Sequence, residues 1–212
     1  MINAGLRLAR MSAMRFRPQL LCLALLLAVA GPAASSTSRQ TPAPLANAIV
    51  LIVRHAEKPA EGDELTTAGT ARAQAYARYF QNLKIDGKPF RVDHIFAAAD
   101  SKNSHRPRLT VEPLGQALKL SVDVRFKNKD YEGLVSDLKT HPYGKDIVVC
   151  WHHGNIPKLL SAFGAPASLV PGGKWPEATY DWMIELKFDS DGKVIPTESK
   201  RIAEHLMPGD SK

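Results

Sequence analysis

The stretch AIVLIVRHAEKP, residues 48–59, carries the most information in this chain. Its six leading residues are apolar and mostly β-branched, which reads as a strand buried on both faces, the kind found in the middle of a parallel sheet. The carboxyl end of that strand delivers Arg54 and His55 side by side. An arginine fork matches a phosphoryl group bidentately, and a neutral imidazole nitrogen beside it can attack phosphorus without an activating base. For the dipeptide alone, a surface Arg-His pair ending a strand is the plainer reading.

Downstream, helical and extended patterns alternate. EKPAEGDELT is a loop, and Thr66 or Thr67 caps a helix reaching about Leu83, with Ala73, Ala77 and Phe80 on one apolar face. Strands are expected at 92–98, 122–126 and 147–151, and helices at 107–118, 131–139 and 156–163, the last closed by Gly164. Near the end, strands at 182–188 and 194–196 flank the hairpin turn DSDGK. The alternation predicts an α/β fold: a single three-layer domain with a mostly parallel sheet and helices on both faces. In such sheets ligands gather outside the carboxyl ends of the strands. The chain has no internal repeat, no glycine-rich phosphate loop and no GxSxG elbow.

Two more segments lead to the same edge. SKNSHRPRLTVEPL, 101–114, is an arginine-rich loop entering a helix, and VVCWHHGNIPKLL, 148–160, is an apolar strand ending in histidine. Together with Arg54, His55 and Ala56, the run Arg106, Thr110, Val111, Glu112 and the pair His153, Gly154 resemble the motifs of the histidine phosphatase superfamily, which has the phosphoglycerate mutase-like fold. The resemblance spans about 49–188 and is strongest to exported bacterial-type members carrying Arg-His-Ala-Glu-Lys.

The resemblance implies that His55 is the nucleophile, forming a phosphohistidine, while Arg54, Arg106 and His153 hold the phosphoryl oxygens. It implies no cofactor and no metal, because phosphoryl transfer asks chiefly for positioning and charge stabilisation. Arg106 lies four residues before Thr110, as in the family, while Arg108 lies two before it; a one-residue shift would make His152 the second histidine. Ala56 stands where glycine is frequent, and Gly154 stands where many relatives carry the acid that protonates the leaving group. Glu132 in KNKDYEG falls in the region where others carry that acid, with Asp130 and Glu57 as rivals. His94, His105, His141 and His205 read as ordinary residues.

Residues 1–36 have a different character. Arg7, Arg10, Arg15 and Arg17 precede LLCLALLLAVA and then the small residues GPAASS, which reads as a cleaved secretory signal peptide. Residues 37–46, polar and proline-bearing, read as a flexible leader, and 47–212 as the domain. The mature protein is therefore expected to be exported, periplasmic or secreted, without stable membrane insertion. Loss of four arginines lowers the net charge from +7 to +3, too weak a balance to argue for nucleic acid. Cys150 is then the sole cysteine, and its strand context predicts a buried packing thiol.

The leading expectation is a metal-independent phosphatase acting on a small phosphomonoester or phosphoramidate. A non-catalytic phosphate-binding module on the same fold is the alternative. A mutase is disfavoured by the lack of long insertions. A metal protein built on His55, His152 and His153 is disfavoured by the lack of a dense carboxylate or thiolate cluster nearby. KWPEATYDW, 174–182, and KNKDYEG are candidate edges of the pocket.

Overall fold

Strand β1 (Ile49–Arg54) feeds two separate cores in the computed structural model, which describes residues 43–210. Side chains alternate across the pleat, so Val50 and Ile52 enter one hydrophobic cluster while Leu51 and Val53 enter the other. All four are fully buried, each contributing about 1.5–3 kcal/mol relative to exposure. A strand apolar on both faces needs a layer on each side, and the helices supply them.

The first layer is α1 (Thr67–Asn82) and α2 (Arg106–Leu118), which bring Tyr76, Phe80, Val111 and Leu114 onto Leu51 and Val53. The second is α3 (Tyr131–Thr140) and α4 (Ile156–Phe163), which bring Leu134, Leu138, Ile156 and Leu159 onto Val50 and Ile52. Thr66 caps α1 by accepting the Gly69 amide at 3.0 Å. Gly164, in the left-handed region at φ 79°, ends α4.

Besides β1, the strands are β2 (Lys84–Ile85), β3 (Lys88–Pro89), β4 (His94–Ala97), β5 (Val122–Asp123), β6 (Asp146–Trp151), β7 (Trp182–Lys187) and β8 (Lys200–Ala203). The six-stranded sheet runs β5-β4-β6-β1-β7-β8, while β2 and β3 pair with each other. β5, β4, β6 and β1 are parallel, and β7 is antiparallel to both β1 and β8. The expected α/β architecture, a mostly parallel sheet with helices on both faces, is what the chain forms. After β1 the chain crosses to β4, then β5, and returns to place β6 between β4 and β1. That reversal brings the carboxyl ends of β1, β6 and β4 together.

Three details differ from the sequence reading. Asp86 and Gly87, both at positive φ, turn the β2–β3 hairpin, which the sequence reading passed over. The partner of β7 is Lys200–Ala203 rather than 194–196. The DSDGK turn gives one bridge, Phe188 to Val194, after which Pro196 cannot donate and the chain turns, with the Ser199 amide bonding the Ile195 carbonyl at 3.1 Å. The ordered fold also starts before Asn47, since Leu45 and Ala46 are buried. The expected signal peptide and most of the expected leader lie outside the described residues. Among those described, no helix is long and apolar enough to cross a membrane. Cys150 is fully buried, as its strand context predicts, and burial pushes its thiol up.

Candidate active site

The parallel register places Arg54 opposite Trp151, and the next amide, that of His55, continues the ladder by donating to the Trp151 carbonyl at 3.0 Å. The Ala98 amide, just past β4, donates to the Cys150 carbonyl at 3.1 Å. These bonds set the turn His55-Ala56-Glu57 beside His152 and His153. Thr110 staples it from α2, accepting the Ala56 amide at 2.9 Å and donating to the Arg106 carbonyl at 2.7 Å. One hydroxyl thus joins the residue after His55 to the first residue of α2. The threonine of the second motif is a positioning residue.

His55 is 2 % exposed. Its Nδ1 lies 2.8 Å from the Ala56 carbonyl oxygen. A carbonyl can only accept, so Nδ1 carries the proton and Nε2 holds the lone pair. Burial, assisted by the charges of His152, Arg54 and Arg106 and opposed by the Ala56 carbonyl, pushes the His55 pKa down to about 3. The ring is therefore neutral near pH 7, the state in which it is a nucleophile. The His152 ring is 5.1 Å from that of His55 and the His153 ring 6.4 Å, centre to centre. Burial lowers the pKa of both to about 4, with Arg106 and His153 assisting at His152, and Arg54 and Lys58 at His153. Both are neutral near pH 7.

Arg54 is completely buried and held from the far side by the segment 174–180. Its Nη1 donates to the carbonyls of Pro176, Glu177 and Thr179 at 3.2, 2.5 and 2.9 Å. The ring of Tyr180 covers its guanidinium at 3.8 Å and lies 6.4 Å from the ring of His55. Trp175, buried, closes the segment on itself by donating to the Thr179 carbonyl at 3.0 Å, and Lys58 meets Glu177 at 3.1 Å across the mouth. This segment was legible as a pocket edge; its grip on Arg54 was not, because carbonyl acceptors have no sequence signature.

Arg106 donates to the carbonyls of Gly62 and Asn103 at 2.8 and 3.2 Å. Arg108 is engaged elsewhere, by Asp100 at 2.8 Å and Glu112 at 3.1 Å. Arg106, unlike Arg108, is among the charges that dominate at His55. Four buried nitrogens at this edge have no hydrogen-bond partner: Arg54 Nε and Nη2, Arg106 Nε and His153 Nδ1. Buried donors are normally satisfied, so the three guanidinium nitrogens, which can only donate, are matched to an incoming acceptor such as a phosphoryl group.

Glu132 is exposed, in the first turn of α3. Its segment is tied to the second histidine loop through Asn128, whose carbonyl accepts from Trp151 Nε1 at 3.1 Å and whose side chain meets Asn155 at 3.0 Å. Asp130 precedes the same helix. Glu57 is bound by Arg72, with Oε1 accepting at 2.9 and 2.7 Å. Among the described residues, the group bringing three potential metal-ligand atoms within 4.8 Å is Asp63, Glu64 and His105 rather than the three site histidines. A separate cleft of about 400 Å³ sits at the opposite, amino-terminal edge near Ile49, Asp146 and Lys187, away from these groups.

No family model matches the chain, and no curated protein matches it. Its fold is similar to that of protein histidine phosphatase SixA complexed with tungstate, at 21% identity and TM-score 0.47, covering 69% of this chain and 92% of that one. It is also similar to mycobacterial glucosyl-3-phosphoglycerate phosphatase Rv2419c, at 14% identity and TM-score 0.47, covering 76% and 99%. A structure called mycobacterial hydrolase 1 is similar at 14% identity and TM-score 0.47, covering 76% and 100%. The strand order and the site itself define the class: an α/β domain with an arginine and histidine cradle at the switch point of its sheet.

Proposed function

We propose that this chain is a phosphatase that works through a phosphohistidine at His55. The observation that carries the reading is the hydrogen bond from His55 Nδ1 to the Ala56 carbonyl, which leaves the Nε2 lone pair unprotonated beside buried guanidinium donors with no partner. The Nε2 lone pair attacks phosphorus, the phosphorus–oxygen ester bond breaks, and the alcohol departs with its electron pair. Water then cleaves the phosphorus–nitrogen bond, releasing phosphate and restoring the neutral ring. Arg54, Arg106 and His153 stabilise the equatorial oxygens, and His152, with the nearer ring, borders the same space. The donor set serves the transfer without a metal. Glu132 is the carboxyl group assigned to protonate the leaving oxygen, from a segment anchored next to His153. The basic start and apolar run within residues 1–36 support a working place outside the cytoplasm, periplasmic or secreted.

A binding-only module is the second reading. One observation favours it: the groups that dominate at His55 are cations, a histidine and a carbonyl, with no carboxylate among them. The mature domain, with chelator present, is expected to hydrolyse an aryl phosphate and acetyl phosphate, and to yield an acid-stopped phosphohistidine absent from His55→Ala. Phosphate binding without turnover or trapping would move the chain to the second reading.

A further inference from the structure

A guanidinium can donate from every nitrogen, and at Arg54 those donors are divided between the protein and the site. Nη1 faces three carbonyl oxygens, those of Pro176, Glu177 and Thr179, so its hydrogens are spent on the segment 174–180. Nε and Nη2 are buried and have no partner. These two nitrogens form the side-on edge of the fork, whose parallel N–H bonds match two oxygens of one phosphoryl group. The end-on edge, Nη1 with Nη2, is closed to a ligand because Nη1 is taken. Buried Trp175 in turn fixes the Thr179 carbonyl through Nε1 at 3.0 Å, which anchors the segment to the core.

Carbonyls at one nitrogen pin the fork at a point but leave it free to tilt about that point. Tyr180 removes that freedom. Its ring lies over the guanidinium, 3.8 Å from Arg54 Cζ to the ring centroid, and stands 6.4 Å from the ring of His55. Building on the phosphatase reading, we infer that Tyr180 is a positioning residue that holds Arg54 side-on, with Nε and Nη2 in the plane that receives the phosphoryl oxygens as His55 attacks. The face of the ring does this, since the Tyr180 hydroxyl has no protein hydrogen-bond partner among the described residues. A tilted fork keeps one of its two bonds to the phosphoryl group and loses the other. The ring belongs to neither hydrophobic cluster, and it borders a cleft of about 550 Å³ that Glu57, Arg72 and Asp210 also line. Its removal therefore leaves the core intact.

Turnover of an aryl phosphate by the purified protein is to be compared in the wild type, Tyr180→Phe and Tyr180→Leu. Leucine is expected to lower kcat/KM by about ten- to a hundredfold, the cost of misplacing a positioned group, with the melting temperature unchanged. Phenylalanine should stay within about threefold, because the hydroxyl has no bond to lose. In an Arg54→Lys background, which has no fork to orient, the same leucine substitution should cost no more than about threefold. Equal losses with phenylalanine and leucine, or a leucine loss that persists in Arg54→Lys, overturn the inference and leave the phosphatase reading standing. Calorimetric titration of inorganic phosphate into His55→Ala, with tyrosine, phenylalanine or leucine at position 180, repeats the comparison without catalysis. Affinity should fall about tenfold with leucine alone, so a protein that turns nothing over still decides the question. Neither turnover nor phosphate binding in any form would overturn the phosphatase reading and the inference with it. If Tyr180→Leu does not fold, Tyr180→Met, which also lacks the ring face, takes its place with the same expected losses.

Discussion

Two buried charged regions meet at Tyr180, and they are built in opposite ways. Around Arg54 the carbonyls of 176–179 satisfy one nitrogen while two others, with Arg106 Nε and His153 Nδ1, have no partner. Around Arg72 every guanidinium nitrogen is bonded, to Glu57 or Asp210, and the atoms without partners are the carboxyl oxygens Glu57 Oε2 and Glu204 Oε1. The first arrangement is ready for a ligand and the second is a brace, tying the turn after His55 to α1 and to the C-terminal segment. Buried arginines are not equivalent; what separates a binding group from a structural one is the number of donors left over.

His55→Ala tests the difference at its strongest, since removal of the proposed nucleophile should lower turnover by at least about a thousandfold with thermal stability retained. Arg106→Ala is expected to lower kcat about a hundredfold or more, whereas Arg108→Ala, which removes only two half-exposed surface pairs, should stay within about threefold; equal losses would break the assignment. On the brace side, Arg72→Met leaves Glu57 and Asp210 without their cation and should destabilise the fold by about 3–5 kcal/mol, measured by urea unfolding, with any loss of activity following loss of fold. If Arg72→Met instead removes activity from a fully stable protein, the brace belongs to the site.

The pH dependence separates the regions more gently. His55, His152 and His153 are held neutral by burial, with pKa values of about 3, 4 and 4 against an ordinary 6.5. The unfolded chain therefore binds protons that the folded one refuses, and stability falls as pH drops from about 6.5 toward 4. Glu204 behaves in the opposite sense: complete burial, with the bond from Tyr76 opposing it, raises its pKa to about 8 from 4.5. The folded state keeps a proton that the unfolded chain releases, so its contribution to stability is lost as pH rises from 4.5 through 8. Melting temperatures across this range should flatten on the acid side in His152→Gln and on the alkaline side in Glu204→Gln; unchanged slopes would remove these groups from the account.

That Arg54, His55 and Arg106 come to one edge of the sheet was legible because each follows a strand or opens a helix with a recognisable pattern. Tyr180 was named only as part of an edge, and Thr110 only as part of a motif, since their roles depend on partners at distant positions. Arg72 gave no signal at all: a lone arginine within a helical stretch reads as a solvated face, and only Asp210, 138 residues away, makes it a brace. β8 (KRIA) and the β2–β3 hairpin (KI and KP) were missed because short, lysine-bearing strands carry no apolar run to mark them.

By itself the sequence determined the layered architecture, because a strand apolar on both faces must be covered twice, and it determined which edge of the sheet carries the arginine and histidine. Only the tertiary structure decided which nitrogen of His55 carries the lone pair, which arginine keeps donors free and which is consumed by carboxylates. Those outcomes depend on carbonyls and side chains brought within about 3 Å by chain crossings, and local pattern holds no record of what a crossing brings into contact.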